Sequence, residues 1–236
     1  MTNERETTPM SEFMRFLAKE NADGERLPSL AALSQQLGVS IATLREQLEV
    51  ARALGLVEVR PKTGIRRLPY TFTPAVLKSL SYAAAIDTDY FFRAFSDLRT
   101  HIETAYWYQA VSMLTREDHE RLLSLIERAE EKLKGHPIQI PHNEHRELHL
   151  SIYSRLNNPF VTGILEAYWE AYEAVGLNMY TDLTYLQHVW GYHRRMVQAI
   201  CDGDAYRGYQ ALIEHTDLLM QRTGPIPRPV ARQEFE

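Results

Sequence analysis

Apolar residues recur at helical spacing from the start of the chain, with Phe13, Phe16 and Leu17 on one face of a segment spanning 9–22 that Asp23 and Gly24 end. A shorter run, 30–37, carries Leu30, Leu33 and Leu37 and stops at Gly38, a residue at ease in a left-handed turn. Ser40 then caps a helix of about 41–54 whose Leu44, Leu48 and Ala51 turn inward. After Gly55 the period shortens to two. Residues 56–60 alternate as a strand, Pro61 to Gly64 turns, and 65–68 returns as its partner. Three helices and a two-stranded wing predict a winged helix-turn-helix over 1–70, with 41–54 as its recognition helix.

Pro69 and Pro74 stiffen a short connection, and from there long 3.6-period segments follow one another with short breaks. They predict helices at about 74–85, 88–113, 116–133, 142–156, 158–180, 183–202 and 204–222, with Thr115 and Asp204 as caps. Gly135-His136-Pro137 and Asn157-Asn158-Pro159 mark turns, while the first eight residues and the tail from Gly224 read as loose. The expected fold class is therefore mostly α. An all-α bundle of six to seven helices fills 71–236 as a second domain behind the winged one.

The formal charge of -5 argues against DNA until it is divided by region. Residues 1–70 carry +1 and 71–236 carry -6, and Arg52, Arg60, Lys62, Arg66 and Arg67 form a basic strip around the wing. No apolar run approaches the roughly 18 residues of a membrane span, and the first residues lack a secretory apolar segment, which predicts a cytoplasmic protein with no membrane partner. A single cysteine, Cys201, excludes an internal disulfide framework. Phosphate-cradling glycine loops, nucleophile elbows and Cys-x-x-Cys pairs are missing from the sequence, so the common catalytic signatures are too.

Histidine supplies the second chemical signal. His145 and His149 lie four apart and share one helical face with Leu148, Ile152 and Tyr153. His193 shares a stripe with Met196, Val197 and Ile200, and His215 shares one with Leu212, Leu218 and Leu219. The last two helices join at Asp202-Gly203-Asp204, so His193 and His215 sit about 15 to 18 Å from that turn and come level if the helices pack antiparallel. Four imidazoles aimed into a bundle need hydrogen bonds or a metal to replace lost water. The pattern predicts a divalent transition metal bound by His145, His149, His193 and His215, built from facing helices.

In the first 70 residues, Leu27-Pro28-Ser29, Leu37-Gly38-Val39-Ser40, Thr43-Leu44-Arg45-Glu46, Leu54-Gly55-Leu56-Val57 and Gly64 resemble the GntR winged-helix repressors of bacteria. His145-Arg146-Glu147-Leu148-His149, Asn158-Pro159-Phe160, His193, Ala199-Ile200, Gly203-Asp204 and His215 resemble the FCD-type effector domain of the FadR subfamily. That resemblance implies a homodimeric regulator of double-stranded operator DNA, with a small organic-acid effector bound against the metal. It implies Arg99 as a partner of the effector carboxylate. For DNA it implies Thr43 and Arg45 as readers, with Ser29, Ser40, Lys62, Thr63 and Gly64 at backbone or groove edges.

Two positions depart from the family pattern. His145 stands where an aspartate is usual, which removes a negative charge and favours zinc or nickel over manganese or magnesium. Ile41 and Ala42 stand where arginine and threonine are common at the start of the recognition helix, and Ala31 where arginine is frequent, so base readout is reduced or altered. The expected function is a repressor, not an enzyme, controlled by a carboxylate at a metal site. A metal-sensing repressor without organic effector is the alternative. A metal-dependent enzyme is the third, weakened because Glu147 points away from both His145 and His149 on a helix.

Overall fold

A computed structural model of the chain describes residues 10–19, 26–61, 64–174 and 182–223, with side chains through Leu218. The expected stop at Asp23-Gly24, the two loose ends, residues 175–180 of the expected long helix, Leu219, Lys62 and Thr63 lie outside what is described. The chain divides into two compact units, one through Lys78 and one from Ser79.

The first unit contains α1 (Glu12–Lys19), α2 (Leu30–Leu37), α3 (Ile41–Ala53), β1 (Val57–Arg60) and β2 (Gly64–Arg67). The boundaries of α2 and α3 have visible causes. The Ser29 hydroxyl accepts from Ala32 N, Gly38 takes φ of 67°, and the Ser40 hydroxyl accepts from Thr43 N. Gly55, at φ of 72°, lets the chain leave α3 where a Cβ would sit 2.5 Å from the Pro74 ring. The wing pairs antiparallel with Val57 opposite Arg67 and Val59 opposite Ile65, and Arg26 adds a bridge to Arg66. One apolar cluster, including Phe13, Leu33, Leu44, Leu48, Val57 and Ile65, closes the unit.

The helices α4 (Thr73–Ile86), α5 (Thr88–Ser112), α6 (Arg116–Lys134), α7 (His142–Ile152), α8 (Pro159–Ala174), α9 (Leu183–Cys201) and α10 (Ala205–Thr223) follow, seven among the described residues. Asp87 separates α4 from α5 by accepting from Tyr90 N. Thr115 and Asp118 form a reciprocal capping box on α6, and Asp204 accepts from Arg207 N at the start of α10. Gly203, at φ of 75°, folds α10 back along α9, and Gly208 lets α10 approach α5 where a Cβ would meet the Trp107 ring at 2.7 Å. Trp107 donates its indole N–H to Ala205 O at 2.8 Å. Its surroundings, Leu122, Leu125, Leu148, Ile152, Met196 and Leu212 among them, make one continuous core of this unit. No helix among the described residues is long and apolar enough to cross a membrane.

Candidate metal centre and nucleic-acid interface

Helix α7 carries His145 and His149 one turn apart, while α9 and α10 bring His193 and His215 together, their rings 4.4 Å apart. One ligand nitrogen from each of the four lies within 4.8 Å of all the others. His149 Nε2 and His193 Nε2 are 3.2 Å apart, close to the about 3.3 Å that separates two nitrogens each 2.0 to 2.1 Å from one tetrahedral zinc ion. His145 Nε2, His193 Nδ1 and His215 Nδ1 are buried without a hydrogen-bond partner among the described residues. Four imidazoles whose ligand atoms converge within 4.8 Å, three of them with a nitrogen left unpartnered among the described residues, are a donor set that fits a borderline divalent metal.

Protonation favours the same chemistry. Burial, followed by the neighbouring histidines and Arg99, pushes His193 and His145 well below the ordinary imidazole value, and burial does the same to His215. His149 is also lowered by burial, against the opposing pull of Glu103. The rings are therefore neutral near pH 7, which is the form that binds metal.

Glu103, fully buried on α5, is the residue that periodicity did not reveal. Burial alone would raise its carboxyl, but Arg99 and then His149 carry it down to about 2. As a carboxylate it accepts from His149 Nδ1–H at 3.1 Å, which fixes the tautomer and leaves Nε2 as the lone pair turned to the cluster. Tyr153 donates its hydroxyl proton to Glu103 O at 2.9 Å and so holds the same turn of α5. The sequence signal was present as Arg99 and Glu103 four apart on an apolar face, where an ion pair needs a buried reason.

Arg99 is only 2% exposed, with Nη2 2.9 Å from Glu103 Oε2 and 3.0 Å from His149 Nδ1. Its guanidinium stacks on the rings of Tyr168 and Trp169, 4.7 and 5.1 Å from their centroids. It is thus already engaged inside the bundle, while its buried Nε lacks a partner among the described residues. A cavity of about 40 Å³, room for the centres of roughly three water-sized molecules, is lined by Arg99, His145, His215, Trp169, Tyr172 and Trp190 among others. Trp169 Nε1 is buried beside it without an acceptor among the described residues. Glu147 points at Arg128 and Arg121, 3.5 and 3.9 Å away, and is no general base for the cluster.

On the winged unit, Ser29 and Ser40 are exposed helix caps, and Thr43 Oγ1 lies 2.9 Å from Ser40 Oγ. Arg45 is exposed on α3, and Gly64 opens β2 at φ of 80°. Lys62 and Thr63 fall outside the described residues. The expected basic strip is thinner than its composition. Arg67 is buried opposite Val57, because a strand of period two turns alternate residues inward, while Arg52 pairs with Glu49 and Arg60 with Glu58. Of its described members Arg66 is the exposed one without an ion-pair partner among the described residues.

Comparison with known families settles what this arrangement belongs to. Residues 14–66 match the gntR family of bacterial regulatory proteins and residues 95–218 match the FCD domain. The chain is a GntR-family regulator with an FCD domain. Among solved structures its fold is similar to Streptococcus agalactiae GntR, with a TM-score of 0.61 at 18% identity over 89% of this chain and 95% of that one. E. coli McbR/YncC aligns at 20% identity over 91% of this chain and 97% of that one, with a TM-score of 0.45. No curated protein sequence matches the chain. A GntR-family regulator binds DNA and controls transcription; it is not an enzyme.

Proposed function

We propose that this GntR-family regulator is a homodimeric repressor whose operator binding is controlled by a small organic acid at a zinc or nickel ion held by His145, His149, His193 and His215. The convergence of four ligand nitrogens within 4.8 Å, with Glu103 fixing the tautomer of one, carries the reading. His145 in place of a carboxylate leaves the donor set uncharged and suits these metals better than manganese or magnesium. The acid enters the cavity beside the cluster, where Arg99 Nε and Trp169 Nε1 are donors without acceptors among the described residues.

In the winged unit, Arg45 and Thr43 read bases while Ser29, Ser40, Lys62, Thr63 and Gly64 meet backbone or groove edges. Two winged units bind the halves of a pseudo-palindrome, and the effector acts by favouring one arrangement of the bundle over another.

A second reading is a repressor that senses the metal alone. The four imidazoles favour it, since four nitrogens complete a tetrahedral zinc shell and leave no open position for an acid. Metal analysis of protein purified without chelators, joined to operator binding with metal removed, restored and supplemented with small carboxylates, separates the two. The effector reading expects a carboxylate to change DNA affinity of the metal-loaded protein, whereas the sensor reading expects metal alone to do so. Stoichiometric metal retained by the His193→Ala, His215→Ala double variant would overturn both.

A further inference from the structure

The recognition helix begins with residues that carry no hydrogen-bonding side chain, yet they stand in the open. Ile41, the first residue of α3, is 41% exposed, and Ala42 and Thr43 beside it are exposed too. An exposed isoleucine at a helix start gives up roughly 25 cal/mol for each Å² of apolar surface it leaves in water. Leu44, Leu48 and Ala51 occupy the inward face of the same helix, so Ile41 is not a core residue that slipped outward. Thr43 adds a γ-methyl to this run, and its hydroxyl already has one partner in the cap: its Oγ1 lies 2.9 Å from Ser40 Oγ, while its amide donates to the same oxygen.

Three consecutive residues thus present methyl groups at the N-terminal turn of the helix that a winged helix-turn-helix lays into the major groove. In that groove the apolar feature of a base pair is the 5-methyl group of thymine. We infer that Ile41, Ala42 and Thr43 form a methyl-reading surface that selects thymine at the positions of each half-site facing the start of α3. Arg45, exposed one turn on and without an ion-pair partner among the described residues, supplies the polar contact beside it. The residues that looked like a loss of readout change its chemistry toward burial of thymine methyls.

The test uses the full chain and a pool of randomised duplex DNA, from which bound sequences are recovered and a preferred site is read. That site is then synthesised with deoxyuridine replacing each thymidine in turn, which removes a methyl and leaves every hydrogen bond of the pair. The expected result is a three- to fivefold loss of affinity at one or two positions per half-site, the effect of about one buried methyl group. Ile41→Ala, a surface change to a good helix former, is expected to weaken the thymine site by a similar factor and to abolish sensitivity to uracil at one of those positions. Equal binding of thymine and uracil duplexes, undiminished uracil sensitivity in Ile41→Ala, or a pool that yields no preferred sequence overturns the inference. None of these outcomes touches the metal centre, which metal content reports separately.

Discussion

The winged unit carries its polar chemistry in solvent, and the helical bundle carries its own in the interior. In the winged unit the core is apolar, and Ser29, Ser40, Thr43 and Arg45 stand exposed around it. In the bundle Arg99, Glu103, His149, His193 and His215 are buried among leucines and aromatic rings. A surface that meets DNA remains solvated until it binds, so its residues cost folding little. A buried cluster of converging polar groups is part of the packed interior, so its residues are also structural, and a change there alters stability along with any ligand binding.

Acid is expected to expose that difference most strongly. The four clustered histidines have imidazoles held below their ordinary value, so the folded bundle binds fewer protons than the unfolded chain. Their contribution is complete above the unfolded value near 6.5 and is lost as pH falls toward the depressed folded values, by up to roughly 1.4 kcal/mol per pH unit for each ring. The first 100 residues contain no histidine. Hydrogen exchange on metal-free protein between pH 7 and 5 is expected to show the bundle losing protection while the winged unit keeps it; equal loss in both would break the comparison.

Glu103→Ala comes next, since it leaves the Arg99 charge buried without its carboxylate and is expected to cost about 3–5 kcal/mol in urea unfolding of the bundle. The same variant frees the His149 ring, so metal content is expected to fall with stability. Arg45→Ala sharpens the other side, with operator binding weakened by about 1–3 kcal/mol and the unfolding midpoint unchanged. A shifted midpoint would show that Arg45 is part of the scaffold. Smallest is Ser40→Ala, which removes the cap of α3 and is expected to cost about 1 kcal/mol of winged-unit stability without altering metal binding.

Local signals made most of the fold legible. Gly38, Ser40, Gly55, Thr115 and Gly203 end or start elements through backbone and capping physics that acts within four or five residues, and the structure uses each of them in that way. The histidines were visible because spacing on a helix and distance from a tight turn are one-dimensional quantities. Arg67 was misjudged because charge suggests an exposed side chain, whereas the register of the wing turns it inward opposite Val57. Arg99 was visible as a candidate but not in its surroundings, which come from α7 and α8, about fifty and seventy residues away.

The sequence by itself determined the winged helix-turn-helix, the helical bundle that follows it in the chain, and the four histidines on inward faces, because periodicity, caps and turns are set by neighbours along the chain. Only the tertiary structure decided that these histidines meet within 4.8 Å, that Glu103 and Arg99 lock one of them, and that the start of α3 stands open while Arg67 does not. Those outcomes depend on which helix packs against which. Partners separated by tens of residues leave no mark in local pattern, since burial and pairing belong to the space between elements.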